Sequence, residues 1–223
     1  MREANRNSFI RAVCEDPGIG LSTPFKFSSR GVEGVKSLPD STLAGVANTF
    51  EKVGGRGDMS RSRLAALVKR LGSDDCLEID GREFVVEYDE VLHFTKYRKT
   101  TLESDLYSGL MVGFDRSDYL GACGKFGMTG GSGRAHNPSA HELFRCPVSP
   151  GECRHRQRAF YDSLKDVVLG SRASGLPGII RISDLTDFVE GRTPSQIAES
   201  GSSGDRAALV GLIRQRAQAA ATS

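Results

Sequence analysis

The sequence predicts a mainly α-helical fold of helix-loop-helix units, with one small β-hairpin and long irregular arms. Three observations predict it. Apolar residues recur at i, i+3, i+4 and i+7 in several separate stretches, the stripe of an amphipathic helix. One dipeptide, Asp80-Gly81, has the chemistry of a tight hairpin turn and lies between Leu77-Glu78-Ile79 and the run Glu83 to Tyr88. Glycine is abundant, 26 of 223 residues, and crowds two regions that therefore read as loop.

Residues 1–39 read as an extended N-terminal arm, because Pro17, Gly18, Gly20, Pro24, Gly31, Gly34 and Pro39 interrupt every candidate element. Phe25 and Phe27 alternate around Lys26 and are expected to lay a short strand on a partner. Residues 40–120 form the first helix-loop-helix plus hairpin unit. Asp40, Ser41 and Thr42 offer a cap, and Leu43, Val46, Ala47 and Phe50 make the first stripe. Gly54 to Gly57 stops that helix, and Leu64, Leu67, Val68 and Leu71 make the next stripe.

Residues 121–153 lack periodicity and read as a long Gly/Pro-rich loop. Residues 154–223 supply a second helix-loop-helix and a C-terminal helix. Phe160, Leu164, Val167 and Val168 form one stripe, Ile182, Leu185, Phe188 and Val189 another. Thr193-Pro194 is a helix start with Pro at the first helical position.

Two loops share a pattern, Gly57-x-Met59-x4-Leu64 and Gly178-x-Ile180-x4-Leu185. With its flanking stripes this pattern resembles the EF-hand, or calmodulin-like, superfamily, whose loop needs Gly at the sixth place and an aliphatic residue at the eighth. The resemblance implies paired helix-loop-helix units that serve as protein-binding scaffolds, including in cytoskeletal and axonemal assemblies. The calcium ligands do not follow. Ligand places in the first copy hold Lys52, Gly54, Arg56 and Arg63, and in the second Ala173, Gly175, Pro177 and Asp184. Calcium takes six to eight oxygens, so neither loop is expected to bind it.

His136, His141, Cys146, Cys153 and His155 crowd twenty residues and are the candidates for a zinc site. Their spacing lacks the short Cys-x2-Cys chelate, and Arg145, Arg154, Arg156 and Arg158 surround them. No metal and no cofactor is therefore expected. Those four arginines, with Phe25 and Phe27, are the candidate partner-binding residues, suited to an acidic surface.

Composition excludes several classes. Thirty basic against 28 acidic residues leave a net charge of +2, without the excess that usually marks a nucleic-acid binder. No apolar run approaches the roughly 20 residues of a membrane span. Five cysteines, an odd and sparse count, suggest a reducing compartment. Gly121 to Phe126 fails the phosphate-loop pattern, and no serine elbow, paired catalytic carboxylate motif or dinucleotide fingerprint occurs. Asp89-Glu90 and Asp115 read as surface charge.

The expectation is a non-catalytic protein-interaction or structural component of a larger intracellular assembly, without calcium binding. Its setting is cytoplasmic, in a cytoskeleton or flagellum, and its partners are other proteins such as tubulin or microtubule-associated proteins, with no membrane involved. The alternative is an RNA- or ribonucleoprotein-associated subunit that uses the arginine-rich 145–158 segment.

Overall fold

A computed structural model describes residues 2–127, 142–144 and 150–221. A five-stranded mixed sheet of order β1-β2-β3-β5-β4 runs through its middle. Strands β1 (Ile19–Leu21), β2 (Asp75–Ile79) and β3 (Arg82–Tyr88) pair antiparallel. Strand β5 (Gly178–Ile182) lies parallel between β3 and β4 (Val112–Gly113). Nine α-helices among the described residues accompany it: α1 (Arg2–Val13), α2 (Val32–Ser37), α3 (Asp40–Lys52), α4 (Arg61–Val68), α5 (Lys96–Leu102), α6 (Arg116–Phe126), α7 (Pro150–Gly170), α8 (Pro194–Ser200) and α9 (Ser203–Ala221).

The period of two along the strands divides the helices into two layers. Leu77, Ile79, Phe84, Val86, Tyr88, Ile180 and Ile182 face one side and pack with Phe9 and Val13 of α1, Ile197 of α8 and Leu209 and Ile213 of α9. Cys76, Val85 and Ile179 face the other and join Phe50, Leu64, Phe160, Leu164 and Val167. On that second face the alternation continues with three charged residues, Glu87 and Asp89 at the end of β3 and Arg181 on β5, and all three are buried. Glu87 and Arg181 are register partners.

The fold is thus mixed α/β, not the mainly helical arrangement the periodicity predicts. The hairpin is real, and its turn residues Asp80 and Gly81 both have positive φ, 48° and 80°, as a type I′ turn requires. It is, however, the middle of a larger sheet. Strand β5 is the element the sequence hid. Gly-Ile-Ile-Arg-Ile is buried on both faces, and a short apolar run of that kind does not distinguish strand from helix. The second copy of the shared glycine pattern is therefore a central strand and its following turn, whereas the first does lie between two helices, α3 and α4.

Residues 1–39, expected as an extended arm, hold α1, β1 and α2. Phe25 and Phe27 are 5% and 1% exposed, with ring centroids 4.9 Å apart, so they fill the core of the chain and do not form the exposed strand expected. Frequent glycine misled here. At Gly31, for instance, a Cβ would stand 2.9 Å from Phe27 Cδ1 and 3.1 Å from Val68 Cγ1, so glycine there serves close packing within an ordered segment. Helix α6 takes the first part of the expected 121–153 loop; residues 128–141 and 145–149 lie outside the described ones.

Candidate functional site

The hairpin register builds the site. Asp75 pairs with Val86 across β2 and β3, and one step further brings Asp74 opposite Glu87. The Asp74 backbone N–H donates to Glu87 Oε1 at 3.3 Å, and the Tyr88 N–H donates to Asp74 Oδ2 at 3.2 Å. Lys165 of α7 reaches down to Glu87 Oε2 at 2.6 Å. Burial pushes the Glu87 carboxyl up, while Lys165 and Arg181 pull against that push.

These groups share a cleft of about 300 Å³ with Arg70, Leu71, Gly72, Ser73, His93, Arg154, Arg158, Tyr161 and Asp162. Arg154, Arg158, Tyr161, Asp162 and Lys165 stand at i, i+4, i+7, i+8 and i+11 of α7, a single helical face. Phe160, Leu164 and Val167 lie on the face that joins the core. One helix therefore seals the interior with one stripe and lines the cleft with another. The buried members, Glu87, His93 and Asp162, make the floor, and the exposed or half-buried Arg70, Arg154 and Arg158 make the rim.

Behind the floor lies a buried ionic lattice. Arg181, wholly buried, gives Nη1 to Asp89 Oδ2 at 2.9 Å and Nε to Asp166 Oδ1 at 2.7 Å. Arg98 meets Asp166 Oδ2 at 2.7 Å and donates to Tyr107 Oη at 2.7 Å. His93 Nδ1 stands 2.8 Å from Asp162 Oδ2 and 3.2 Å from Asp89 Oδ1. Burial alone would raise the Asp89 and Asp162 carboxyls, but the facing charges win and hold both below the usual range. Arg181 leads at Asp89 and His93 at Asp162. Asp89, read from sequence as surface charge, is 2% exposed and central to this lattice. Asp115 instead caps α6, accepting from the Ser117 and Asp118 N–H groups.

The arginine segment divides. Arg154 and Arg158 line the cleft, whereas Arg156 turns away to the Val53 carbonyl at 3.0 Å and to Glu152 at 2.8 Å. Arg145 lies outside the described residues, as do His136, His141 and Cys146. Of the remaining zinc candidates, Cys153 is disulfide-bonded, so its sulfur is not a thiolate ligand, a bond the sparse cysteine count did not foretell. His155 is buried, and neither ring nitrogen has a hydrogen-bond partner among the described residues. Burial, then Arg158 and Arg154, lower its basicity.

Sequence reasoning missed Asp74, Glu87, His93, Asp162 and Lys165. Two signals pointed to them: the Asp80-Gly81 turn fixes Asp74 opposite Glu87, and a polar stripe with helical spacing runs from Arg154 to Lys165.

Among the described residues no helix is long and apolar enough to cross a membrane. Fold and site together define a mixed α/β domain whose sheet carries an acidic cluster beneath an arginine-rimmed cleft. The chain belongs to the family of unknown function DUF7255, whose model matches residues 48–200 and so spans every cleft residue named above. No curated protein and no solved structure matches the chain.

Proposed function

We propose that the cleft binds the phosphate backbone of a nucleic acid and hydrolyses its phosphodiester bonds with a divalent cation of the magnesium class. The observation that carries this reading is the meeting of Asp74, Glu87 and Lys165 under the rim of Arg70, Arg154 and Arg158. Guanidinium groups suit phosphate oxygens, and they stand where a backbone would enter. Two carboxylates on opposite arms of one hairpin, Asp74 just before β2 and Glu87 in β3, suit a magnesium ion, which is held by one or two protein carboxylates with water and substrate phosphate completing its shell.

Asp74 and Glu87 are the residues that would hold such an ion. Among the described residues no group of three or more His, Cys, Asp or Glu is placed to hold a metal, so water and substrate phosphate would have to supply the rest of its shell. Glu87 is nearly withdrawn from water and its carboxyl is pushed up by burial, so a nearby cation would relieve it. When bound, the ion would polarise the phosphoryl oxygens and neutralise charge at the scissile group. Lys165 holds Glu87 in place and adds positive charge at the floor, and the arginines fix the phosphate in register.

The test is incubation of the protein with single- and double-stranded nucleic acids, with magnesium or manganese and with a chelator. Cleavage that is lost with the chelator and in Asp74→Asn supports the reading, as does calorimetric binding of manganese that Asp74→Asn removes. Binding without cleavage would reduce the cleft to a recognition site. Neither binding nor cleavage would sink the proposal and return the chain to the non-catalytic interaction subunit expected from sequence. Two of that rival's six proposed contacts, Phe25 and Phe27, are buried in the core, which leaves it the arginines alone.

A further inference from the structure

His93 is nine-tenths buried, lines the cleft, and belongs to a 3₁₀ turn, Val91–His93, that connects β3 to α5. Its Nδ1 faces two carboxylates, Asp162 at 2.8 Å and Asp89 at 3.2 Å. An ionised carboxylate only accepts, so Nδ1 must carry the proton whether the ring is neutral or charged. The neutral ring then holds its lone pair on Nε2, which makes no hydrogen bond to the described residues. This is the general logic by which a carboxylate fixes the tautomer and plane of a working imidazole.

Asp89 from the end of β3 and Asp162 and Asp166 from α7 carry three negative charges. Arg181 of β5 and Arg98 of α5 carry two positive charges against them. Lys165 is matched by Glu87. Arg158 approaches from α7 but donates to the Leu92 carbonyl at 3.2 Å, and Glu90 sits in the same turn as His93.

Resting on the reading of the cleft given above, we propose that His93 is a catalytic residue, the general base that activates the attacking water, with Asp162 and Asp89 as its positioning residues. One O–H bond of the water breaks and its proton passes to Nε2 as the oxygen bonds to phosphorus. The bond from phosphorus to the leaving oxygen breaks, its electron pair stays on that oxygen, and the oxygen takes a proton from solvent. The imidazolium returns its proton to solvent, so one water is consumed per bond cut.

The test compares wild type, His93→Ala, His93→Gln and Asp162→Asn by cleavage of a labelled oligonucleotide with magnesium from pH 5 to 9. Binding by fluorescence anisotropy and melting are measured alongside. His93→Ala should lose about 10²- to 10⁴-fold in turnover per folded molecule while nucleic-acid binding holds; its melting temperature should fall, because Asp89 and Asp162 lose a partner, and added imidazole should restore part of the lost turnover. The acidic limb of the wild-type profile should vanish in both His93 variants, and Asp162→Asn should shift that limb. Nitrogen NMR of the wild-type ring should place the neutral-form proton on Nδ1. A proton on Nε2 overturns the proposal whether or not the variants fold, as does undiminished cleavage in His93→Ala or an equal loss of binding. Absence of cleavage by the wild type instead overturns the reading of the whole cleft, and this role with it.

Discussion

Lys165 Nζ lies 2.6 Å from Glu87 Oε2, with the glutamate side chain 2% and the lysine side chain 14% exposed. The pair links α7 to β3 where little water reaches, so each charge depends on the other. Such a pair contributes little net stability compared with an apolar substitute, but removing one partner strands the other.

Lys165→Met is therefore expected to destabilise the fold by about 3 kcal/mol. Burial already raises the Glu87 carboxyl, and loss of the lysine raises it further. A carboxyl raised in the folded state is penalised as pH climbs above its unfolded value, because the unfolded chain sheds that proton more readily. Urea denaturation should show a larger loss at pH 8 than at pH 5, and Glu87→Gln in the same chain should recover part of it.

Acid should act in the opposite direction on Asp89 and Asp162. Both carboxyls are held below their ordinary range, by Arg181 and His93 against the push of burial. Their contribution is fully present above the unfolded value of about 4 and is lost as pH falls below it. Stability measured between pH 6 and pH 2 should fall steeply toward the acid end, with a shallower fall in Asp162→Asn.

Arg181→Met tests the centre of the lattice. The guanidinium is wholly buried, and its removal leaves Asp89 and Asp166 without their shared cation. The expected cost is about 3–5 kcal/mol. A change below about 1 kcal/mol, typical of exposed pairs, would show that the lattice is better hydrated than its burial implies.

Phe50→Ala tests the join between α3 and α7. The Phe50 ring lies 4.8 Å from Phe160 and 5.4 Å from Phe144, and all three are buried. Truncation should cost about 3–5 kcal/mol in chemical denaturation.

The rim makes a different prediction. Arg154→Gln with Arg158→Gln should leave melting nearly unchanged and weaken nucleic-acid binding across all sequences. The slope of log affinity against log salt should drop by about 2, one per lost phosphate contact. A slope equal to that of wild type would place phosphate elsewhere on the surface.

Much of the local structure was legible in the chain. The stripes at Leu43 to Phe50, Leu64 to Leu71 and Phe160 to Val168 lie largely within helices α3, α4 and α7, and Asp80-Gly81 is a turn with both residues at positive φ. Thr193-Pro194 opens α8 with a reciprocal cap between Thr193 and Gln196. Each of these signals is written within a few residues, since backbone sterics and helix periodicity act over one or two turns.

The sheet was not legible in that way. Strand β5 pairs with a strand about 90 residues earlier, and its apolar run carries no mark of strand or helix until that partner is present. The site shares this dependence. Asp74 and Glu87 follow from the hairpin register alone, but Lys165 joins them only because α7 packs across the sheet. The sequence by itself determined helices α3, α4, α7, α8 and α9 and the hairpin turn, and it carries the polar spacing of α7. Tertiary structure decided that Asp89, Asp162, Asp166 and Arg181 are a buried lattice and no mere surface charge, because burial and the distance between charges depend on long-range packing.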